Sequence, residues 1–457
     1  MSVQEAGLSQ PGGTNRMNRL NRLRSSSDVR RLAACVFGML ILALVTGPEG
    51  VQGNPTYGFT ESWLRPHVIG YLVAAVILWV LMTFWGRVSG RLRAKVVGAT
   101  DVGHHLFERK TLRFGSYLTL VVLAALLPQI LSGTWQEITV DQIGTYVLLA
   151  LGLNVVVGFA GLLDLGYIAF YLIGAYSTAY WSGALPVHPP FELNPFFIIP
   201  LAVLAAMLAG VILGTPTLRL RGDYLAIVTL GFGEIIQIVA TNLQGVTGGA
   251  EGVIGIRRFS VHLFGLHYVW PVGATANLPY YYLLLVFVVA ALVIFHLLEH
   301  SKVGRAWTAI REDEVAAQAC GINPLKYKIM AFAIGASTSG FAGVLFASKI
   351  GFIDPTEFSV QMSILVLILV VFGGQGSLAG ALIGAAVIQW GQNFLRVLNV
   401  GWYNEQDLYV YLGGLLVVMM IFRPQGIVPS RRRSREIGLA EHGLGSADAM
   451  SAADAPP

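Results

Sequence analysis

Apolar segments alternate with short polar loops along almost the whole chain. Most of these segments are long enough to form a helix across about 30 Å of hydrocarbon. The pattern predicts an all-α polytopic membrane protein with ten to twelve transmembrane helices, since some segments are short. The candidate spans lie at about residues 32–46, 67–85, 115–131, 142–160, 165–184, 195–214, 224–242, 279–298, 326–350, 361–378, 379–396 and 408–422.

Two apolar regions are too long for one membrane helix, and both contain glycines near their middle. Residues 362–395 carry no charge and would extend roughly 50 Å as one helix, so we predict a break at Gly373–Gly376. Residues 142–183 have a similar break, with Gly158, Gly161 and Asp164. Both breaks fit the pattern V-V-(V/F)-G-x-x-G-x-L, which predicts a parallel internal repeat. Chance is the alternative, because these residue types are common in membrane helices. Interrupted helices in corresponding halves of a chain indicate a transport path.

The segment Glu299–Lys328 lies between two apolar segments but is rich in charge. Good helix formers run from Ser301 to Gly321, and Asn323-Pro324 is a stop signal. Val303, Trp307 and Ile310 fall on one helical face. The segment is predicted to form a helix, either as a solvated loop between two spans or as a docking helix that inserts into another subunit.

Composition and charge place the chain in a membrane and orient it. Of its 457 residues, 55% are hydrophobic, and the mean hydropathy is +0.65, which excludes a soluble protein. Basic loops at 86–113, 219–221 and 299–328 and the basic segment from Arg423 predict that these parts, and both termini, face the cytoplasm. The net charge of +5 then reflects loop orientation, and we expect no nucleic-acid partner.

The polar ends and the loops suggest a division of the chain. Residues 1–31 are predicted to form a disordered basic tail, which is too long for the lead-in of an ordinary cleaved signal peptide. Residues 32–113 form an extension with two membrane segments and a basic loop. Residues 114–428 form the main membrane domain, and 429–457 a second disordered tail.

The chain lacks the motifs of the common catalytic and nucleotide sites. It has no phosphate-binding loop, no H-E-x-x-H, no nucleophile elbow and no paired cysteine ligands. Its histidines are scattered and its two cysteines form no pattern. We therefore expect no catalytic residue, no metal and no cofactor in this chain, and an energy source outside it.

Polar residues inside the predicted spans are candidates for a translocation path. Glu234 is about eleven residues into its span, where a carboxylate costs on the order of 2.5–3.5 kcal/mol. A structural hydrogen bond to another helix is the alternative role. The other candidates near Glu234 or the breaks are Gln237, Asn154, Asp164, Gln389 and Asn393.

Several longer motifs resemble one family. LRLRGDYLAIVTLGFGEI (Leu218–Ile235) with Thr247-Gly248-Gly249, GRAWTAIREDEVAAQACG (Gly304–Gly321), LGLNVVVGFAGLLDLGY (Leu151–Tyr167) and RPQG (Arg423–Gly426) are similar to the LivM-type permeases of branched-chain amino acid ABC importers. The resemblance covers most of residues 115–428.

The resemblance implies a permease of the bacterial inner membrane that works with other subunits. These would be a sister permease of the LivH type, two ATPase subunits that bind ATP and Mg²⁺, and an extracytoplasmic solute-binding protein. Glu314–Gly321 resembles the EAA loop through which such permeases contact their ATPases. Val315 separates Glu314 from the alanine pair, and Ile322-Asn323-Pro324 replaces the usual Leu-Pro. The implied coupling residues are Gly304, Arg305, Trp307, Arg311, Glu314, Ala316, Ala317 and Gly321.

Two other functions stay open. A related permease for urea or short amides would share these motifs, although the long N-terminal extension favours amino acids. An ion-coupled secondary transporter would use Glu234 as its coupling residue, although it has no need of a docking helix for ATPases. A membrane scaffold or receptor is disfavoured by the paired glycine breaks.

Overall fold

The computed structural model describes residues 121–122, 124–128, 133–217, 223–263, 266–270, 277–397, 408–423 and 425–429. The spans predicted at 32–46 and 67–85 and the basic loop 86–113 lie outside the described residues, as do both predicted tails apart from residue 429. Backbone contacts divide the chain into one unit of Met1–Tyr117 with Asn404–Gly414, and a second of Leu118–Tyr403 with Leu415–Pro457. The first unit is described only at residues 408–414, which are helical. All other described residues belong to the second unit.

Helices dominate the described residues. After helical residues at 121–122 and 124–128, the first long helix is α1 (Trp135–Phe159). The helices that come after it are α2 (Ile168–Trp181), α3 (Pro195–Thr217), α4 (Asp223–Asn242), α5 (Asn277–Glu299), α6 (Lys302–Glu312), α7 (Glu314–Ala319), α8 (Pro324–Ile350), α9 (Val360–Gly373), α10 (Leu378–Val397) and α11 (Leu408–Phe422). The fold is therefore the all-α polytopic membrane architecture that the apolar segments predict.

Five described helices are long and apolar enough to cross a membrane: α1, α3, α4, α5 and α8. Helices α9 and α10 bend by 120° at their junction and together give a sixth, as a broken span or a re-entrant loop. Helix α2 has 14 residues and α11 has 15, so each is shorter than a full span. Among the described residues, full-length spans are thus fewer than the charge-free windows suggest.

Helices α1 and α8 form the core, and α3, α4 and α5 form its periphery. In α1, 83% of the apolar window is buried, whereas in each peripheral helix only 28% is buried. Side chains such as Phe197, Ile212 and Ile227 are 63–71% exposed. Apolar surface of this extent in a soluble protein would be an aggregation hazard, but it suits contact with lipid.

Small residues let α2, α3 and α8 pack closely. A Cβ at Gly174 of α2 would lie 2.2 Å from the carbonyl oxygen of Gly340 in α8, and a Cβ at Gly340 would meet Ala206 of α3. Close backbone contact of this kind is typical of helix association in lipid.

Two segments of α1 are π-helical, at Thr139–Gly144 and Asn154–Phe159. A π-turn widens the helix locally and often accompanies a functional site. The first contains Asp141 and Gln142, and the second contains Asn154 and Gly158. The hydrophobic pattern gives no sign of either one.

Short strands lie at the end of the bundle away from α6. Strands β1 (Val253–Ile254) and β4 (Phe352–Ile353) pair antiparallel, with Val253 opposite Ile353. Strands β2 (Ser260–Leu263) and β3 (Leu266–Val269) form a second antiparallel pair. The glycine-rich segment before β1 is predicted from its sequence to form a plain turn, a re-entrant loop or a contact with a partner. It forms a one-turn helix (Gln244–Thr247) and a 3₁₀ turn (Gly249–Glu251).

Candidate functional site

The charged segment forms two helices, so the prediction of one helix from Ser301 to Gly321 is wrong. Asp313 has an extended backbone, which ends α6, and its Oδ1 accepts hydrogen bonds from Val315 N and Ala316 N at the start of α7. An aspartate carboxylate stabilises a helix more at the N-cap position than in the helix interior. The chain therefore starts a second helix at Asp313. Ser301 caps α6 in the same manner, through Val303 N and Gly304 N.

One face of α6 packs on the ends of α1 and α8. Trp307 is completely buried, and its Nε1 donates to the Tyr327 carbonyl oxygen at 2.7 Å. Its ring stacks on Phe159, with 6.4 Å between centroids. Ile310 is also buried and Val303 is half-buried, so the predicted apolar stripe is the packed face. Trp307 thus fixes α6 against the last turn of α1.

Arg311 extends from α6 into the first glycine break. Its Nη1 donates to the carbonyl oxygen of Gly158. Its aliphatic stem lies over Gly161, where a Cβ would come within 2.7 Å of the arginine Cγ. A Cβ at Gly376, in the second break, would lie 3.2 Å from the same Nη1. One side chain of α6 therefore reaches both breaks.

The two breaks also contact each other directly. Asn154 is fully buried, and its Oδ1 accepts a hydrogen bond from Gly376 N at 2.9 Å. A Cβ at Gly158 would lie 2.5 Å from that nitrogen, so only glycine fits. Gly161 and Gly376 are aligned by the shared motif, and both have positive φ, 71° and 78°, a conformation that glycine adopts at little cost. The internal repeat itself stays a prediction.

The segment after α11 braces the second break. Ile427 N donates to the Phe372 carbonyl oxygen and Val428 N to that of Gly373, both at 2.9 Å. A Cβ at Gly426 would lie 2.4 Å from the Gly374 Cα. The conformation of the break therefore depends on residues about fifty positions later in the chain.

The EAA-like segment lies on α7 and the turn after it. Glu314 forms an ion pair with Lys328 of α8 at 2.8 Å; the side chains are 28% and 6% exposed. Ala317 is buried, Ala316 is exposed, and Gly321 has a φ of +83° in the turn before α8. The ion pair fastens α7 to the start of a core helix.

Two further predicted coupling residues lie at the start of α6. A Cβ at Gly304 would lie 2.3 Å from the Glu299 carbonyl oxygen, so glycine permits the tight turn from α5. Arg305 is exposed, and its Nη1 donates to the His300 carbonyl oxygen at 3.1 Å. The predicted coupling residues therefore all lie on or beside α6 and α7.

Asp164 is buried in the connection between α1 and α2. Its Oδ1 accepts from Gly166 N at 2.9 Å, whereas Oδ2 has no hydrogen-bond partner among the described residues. Burial raises the pKa of this carboxyl to about 7, although the hydrogen bonds from Gly166 and Thr229 lower it. The group is thus poised to change charge near neutral pH.

Glu234, Gln237 and Gln389, predicted for the same path, lie apart from the breaks. Glu234 is half-buried on α4 and has no hydrogen-bond or ion-pair partner within the described part of the chain. Gln237 Nε2 donates to the Thr356 carbonyl oxygen at 3.4 Å. Gln389 and Asn393 are buried on α10, and Asn393 Nδ2 donates to Gln142 Oε1 at 2.6 Å, near the start of α1. Gly373, the first residue of the second break, ends α9 and packs on Gly380. Of the predicted path residues, Asn154, Gly158, Gly161 and Gly376 are the ones that Arg311 or the contact between the breaks brings together.

Three possible metal ligands lie at the end of α5. The ligand atoms of His296, Glu299 and His300 are within 4.8 Å of one another, although the sequence suggested scattered histidines. Both imidazoles are exposed, and one nitrogen of His300 already hydrogen-bonds the His296 carbonyl oxygen at 2.9 Å. Exposed groups of this kind commonly hold no ion, and we assign none.

A polytopic membrane chain with a side-packed amphipathic helix and broken, contacting spans has the construction of a transport permease. Comparison with protein families identifies it more closely. The family described as "branched-chain amino acid transport system / permease component" matches residues 137–422, and the chain belongs to this family. The family consists of transporter permease subunits, which agrees with the expectation of a chain that is not itself an enzyme.

Individual relatives agree with this assignment. The high-affinity branched-chain amino acid transport system permease protein LivM of Escherichia coli (strain K12) is 41% identical over 333 residues, which are 69% of this chain and 75% of the relative. The permease protein BraD of Pseudomonas aeruginosa is 27% identical, over 62% of this chain and 91% of its own length. The permease protein LivH of Salmonella typhimurium is 24% identical, over 62% of this chain and 91% of its own length. No solved structure matches the chain.

Proposed function

We propose that this chain is a membrane permease subunit of an ATP-driven importer of branched-chain amino acids. In this function α6 and α7 bind separate ATPase subunits at the cytoplasmic face. The observation that carries the proposal is the position of Arg311, which joins α6 to both glycine breaks. The relatives named as branched-chain amino acid permeases support the substrate class.

In this proposal, coupling depends on the contacts of α6 with three residues of the core helices. Trp307 fastens α6 to Phe159 and Tyr327, and Arg311 reaches Gly158. Closure of the ATPases would push or rotate α6. Because these groups are in direct contact, the motion passes to the end of α1 and, through Asn154 and Gly376, to the α9–α10 break. Breaks at a helix end need only a few dihedral changes to reorient a span.

The remaining partners fit the same arrangement. The peripheral helices α3, α4 and α5 offer apolar surface to lipid and to a sister permease. A loaded solute-binding protein would bind at the opposite end, where β1 and β4 lie. We expect most of the substrate selectivity to reside in that binding protein.

The test is reconstitution of the chain with its neighbouring permease, ATPase and binding-protein gene products in proteoliposomes. With ATP available to the ATPase subunits, radiolabelled leucine should accumulate, and excess isoleucine or valine should compete whereas urea and acetamide should not. ADP, or loss of the ATPase subunits, should abolish uptake. Uptake that persists without ATP would contradict the proposal.

The same preparation separates the ion-coupled alternative. An ionophore that collapses proton and sodium gradients should leave ATP-driven uptake unchanged. Glu234→Gln keeps the size of the side chain but removes its charge, so an ion-coupled carrier would lose transport. The proposed mechanism expects uptake per ATP to be retained in this variant.

A further inference from the structure

An ion pair joins two core helices far from Arg311. Asp141 lies in the first π-turn of α1 and Lys349 in the last turn of α8, and the Lys349 Nζ donates to the Asp141 Oδ1. The two side chains are 25% and 9% exposed, respectively. Asp141 precedes Gly158 by 17 residues, which is about 25 Å along a helix. The pair therefore lies at the end of the bundle opposite to the α6 contact.

A small cavity opens beside this pair. Its volume is about 10 Å³, about the space that one water molecule needs. Helices α1, α5 and α8 line it. The apolar wall consists of Val140, Leu284, Leu345 and Phe346, and Thr145 and Tyr280 complete the lining. The lining thus combines one ion pair with aliphatic and aromatic side chains.

Stability alone does not account for an ion pair at this position. The desolvation of two charges offsets most of their attraction, and a packed apolar pair of similar volume is often as stable or more so. Ionisable groups that face the interior of a membrane helix bundle are rare, and they commonly mark the route of a substrate. The π-turn at Asp141 also supports a functional role for the pair, because such turns often accompany functional sites.

We propose that Asp141 and Lys349 form a binding site for the zwitterionic head of an α-amino acid at the outer end of the translocation path. This inference rests on the proposed function, and it adds the site where the permease itself receives the substrate. The Asp141 carboxylate binds the substrate ammonium and the Lys349 ammonium binds the substrate carboxylate. The aliphatic side chain packs against Leu284, Leu345 and Phe346.

The closed pair and the bound substrate are alternatives at the same place. In the closed arrangement each charge satisfies the other, and there is no room for leucine. When α1 and α8 separate, the substrate replaces each partner with a group of the same charge, so neither charge is left unpaired in a medium of low polarity. An amine without a carboxylate, or an acid without an ammonium group, would leave one of the two unpaired. The site therefore selects zwitterions.

The experiment measures leucine imported per ATP hydrolysed in the reconstituted complex. The variants are Asp141→Asn, Lys349→Met and the double variant Asp141→Leu with Lys349→Leu. The double variant should unfold at a temperature at least as high as the parent, because it replaces an ion pair with apolar contacts. All three should import at least about tenfold less leucine per ATP. A diazirine analogue of leucine should label α5 or α8 in the parent and not in the double variant.

The possible results separate the two proposals. If the parent complex imports leucine and the double variant equals it, the Asp141–Lys349 site is refuted while the ATP-driven importer stands. A purely structural role predicts retained import in every variant that stays folded, so retained import in a folded Lys349→Met would also refute the site. If the double variant does not fold, the isosteric Asp141→Asn decides, and unchanged uptake refutes the proposal. If the parent imports no leucine with ATP, the proposed function itself fails.

Discussion

Removal of the Arg311 guanidinium should uncouple ATP hydrolysis from transport. In Arg311→Ala, Gly158 loses the hydrogen bond to its carbonyl oxygen and Gly161 loses the stem that covers it. A hydrogen bond from a charged donor contributes about 1.5–3 kcal/mol. Because Arg311 is exposed over much of its surface, we take the lower limit, about 1.5 kcal/mol, which corresponds to about a tenfold change in a population.

The assay is leucine imported per ATP hydrolysed in proteoliposomes. We expect this ratio to fall about tenfold in Arg311→Ala, because the moving helix no longer holds the break. In Arg311→Lys the charge remains but the planar fork is lost, so the fall should be smaller. A ratio within twofold of the parent in Arg311→Ala would refute the reasoning.

A second change perturbs the same contact from the other side. In Gly161→Ala the new methyl group displaces Arg311, and the positive φ adds strain of about 1–2 kcal/mol. Gly255→Ala is the matched control, since Gly255 also has a positive φ, +88°, but its Cβ would have no atom within 4 Å. Both variants carry the backbone strain, and only Gly161→Ala should lower the coupling ratio. Equal effects of the two would attribute the loss to strain and not to Arg311.

Three further predictions concern stability, each measured as the midpoint of thermal unfolding in detergent. Gly158→Ala should destabilise the protein by about 1–3 kcal/mol, because the new methyl group overpacks against the second break. Gly231→Ala is the control, since this helical position faces open space, and it should not lower the midpoint. Equal midpoints of the two variants would contradict the contact between the breaks. Glu314→Gln should lower the stability by about 2 kcal/mol, which is less than the loss of a fully buried ion pair because Glu314 reaches solvent. It should destabilise more than Lys328→Met, because it leaves the buried Lys328 ammonium unpaired. A larger destabilisation by Lys328→Met would contradict this reasoning. Asp164 has a folded-state pKa above its ordinary value, so its ionisation opposes folding: stability should fall as the pH rises from about 4 through about 7, and Asp164→Asn should remove that dependence.

Local features of this fold could be predicted from the sequence because they depend on neighbours along the chain. A charge-free window shows that a helix can lie in lipid, and a glycine cluster within an overlong window shows where it breaks. The apolar stripe of Trp307 and Ile310 correctly predicted which face of α6 is packed, because helical periodicity is also a local property of the chain. The break at Asp313 was missed even though aspartate favours caps over helix interiors, because the residues on both sides of it favour a continuous helix.

Contacts between distant segments could not be predicted in this way. Asn154 and Gly376 are 222 residues apart, and Lys349 and Asp141 are 208 apart. Each of these residues alone fits a helix-to-helix hydrogen bond or a lipid-interface charge, and no periodicity selects its partner. The π-turns were equally hidden, because an extra residue in one turn leaves the apolar character of the segment unchanged.

The geometry at Arg311 also restricts how force can pass from α6 to the membrane helices. A hydrogen bond between nitrogen and oxygen weakens beyond about 3.2 Å, so α6 cannot slide far while Gly158 stays in place. On the other side, Gly158 has no room to move toward Gly376, because even a methyl group would overlap there. The break must therefore either follow α6 as a unit or release Arg311 altogether. A contact with only these two arrangements behaves as a switch, and the proposed coupling to an ATP cycle requires a switch of this kind.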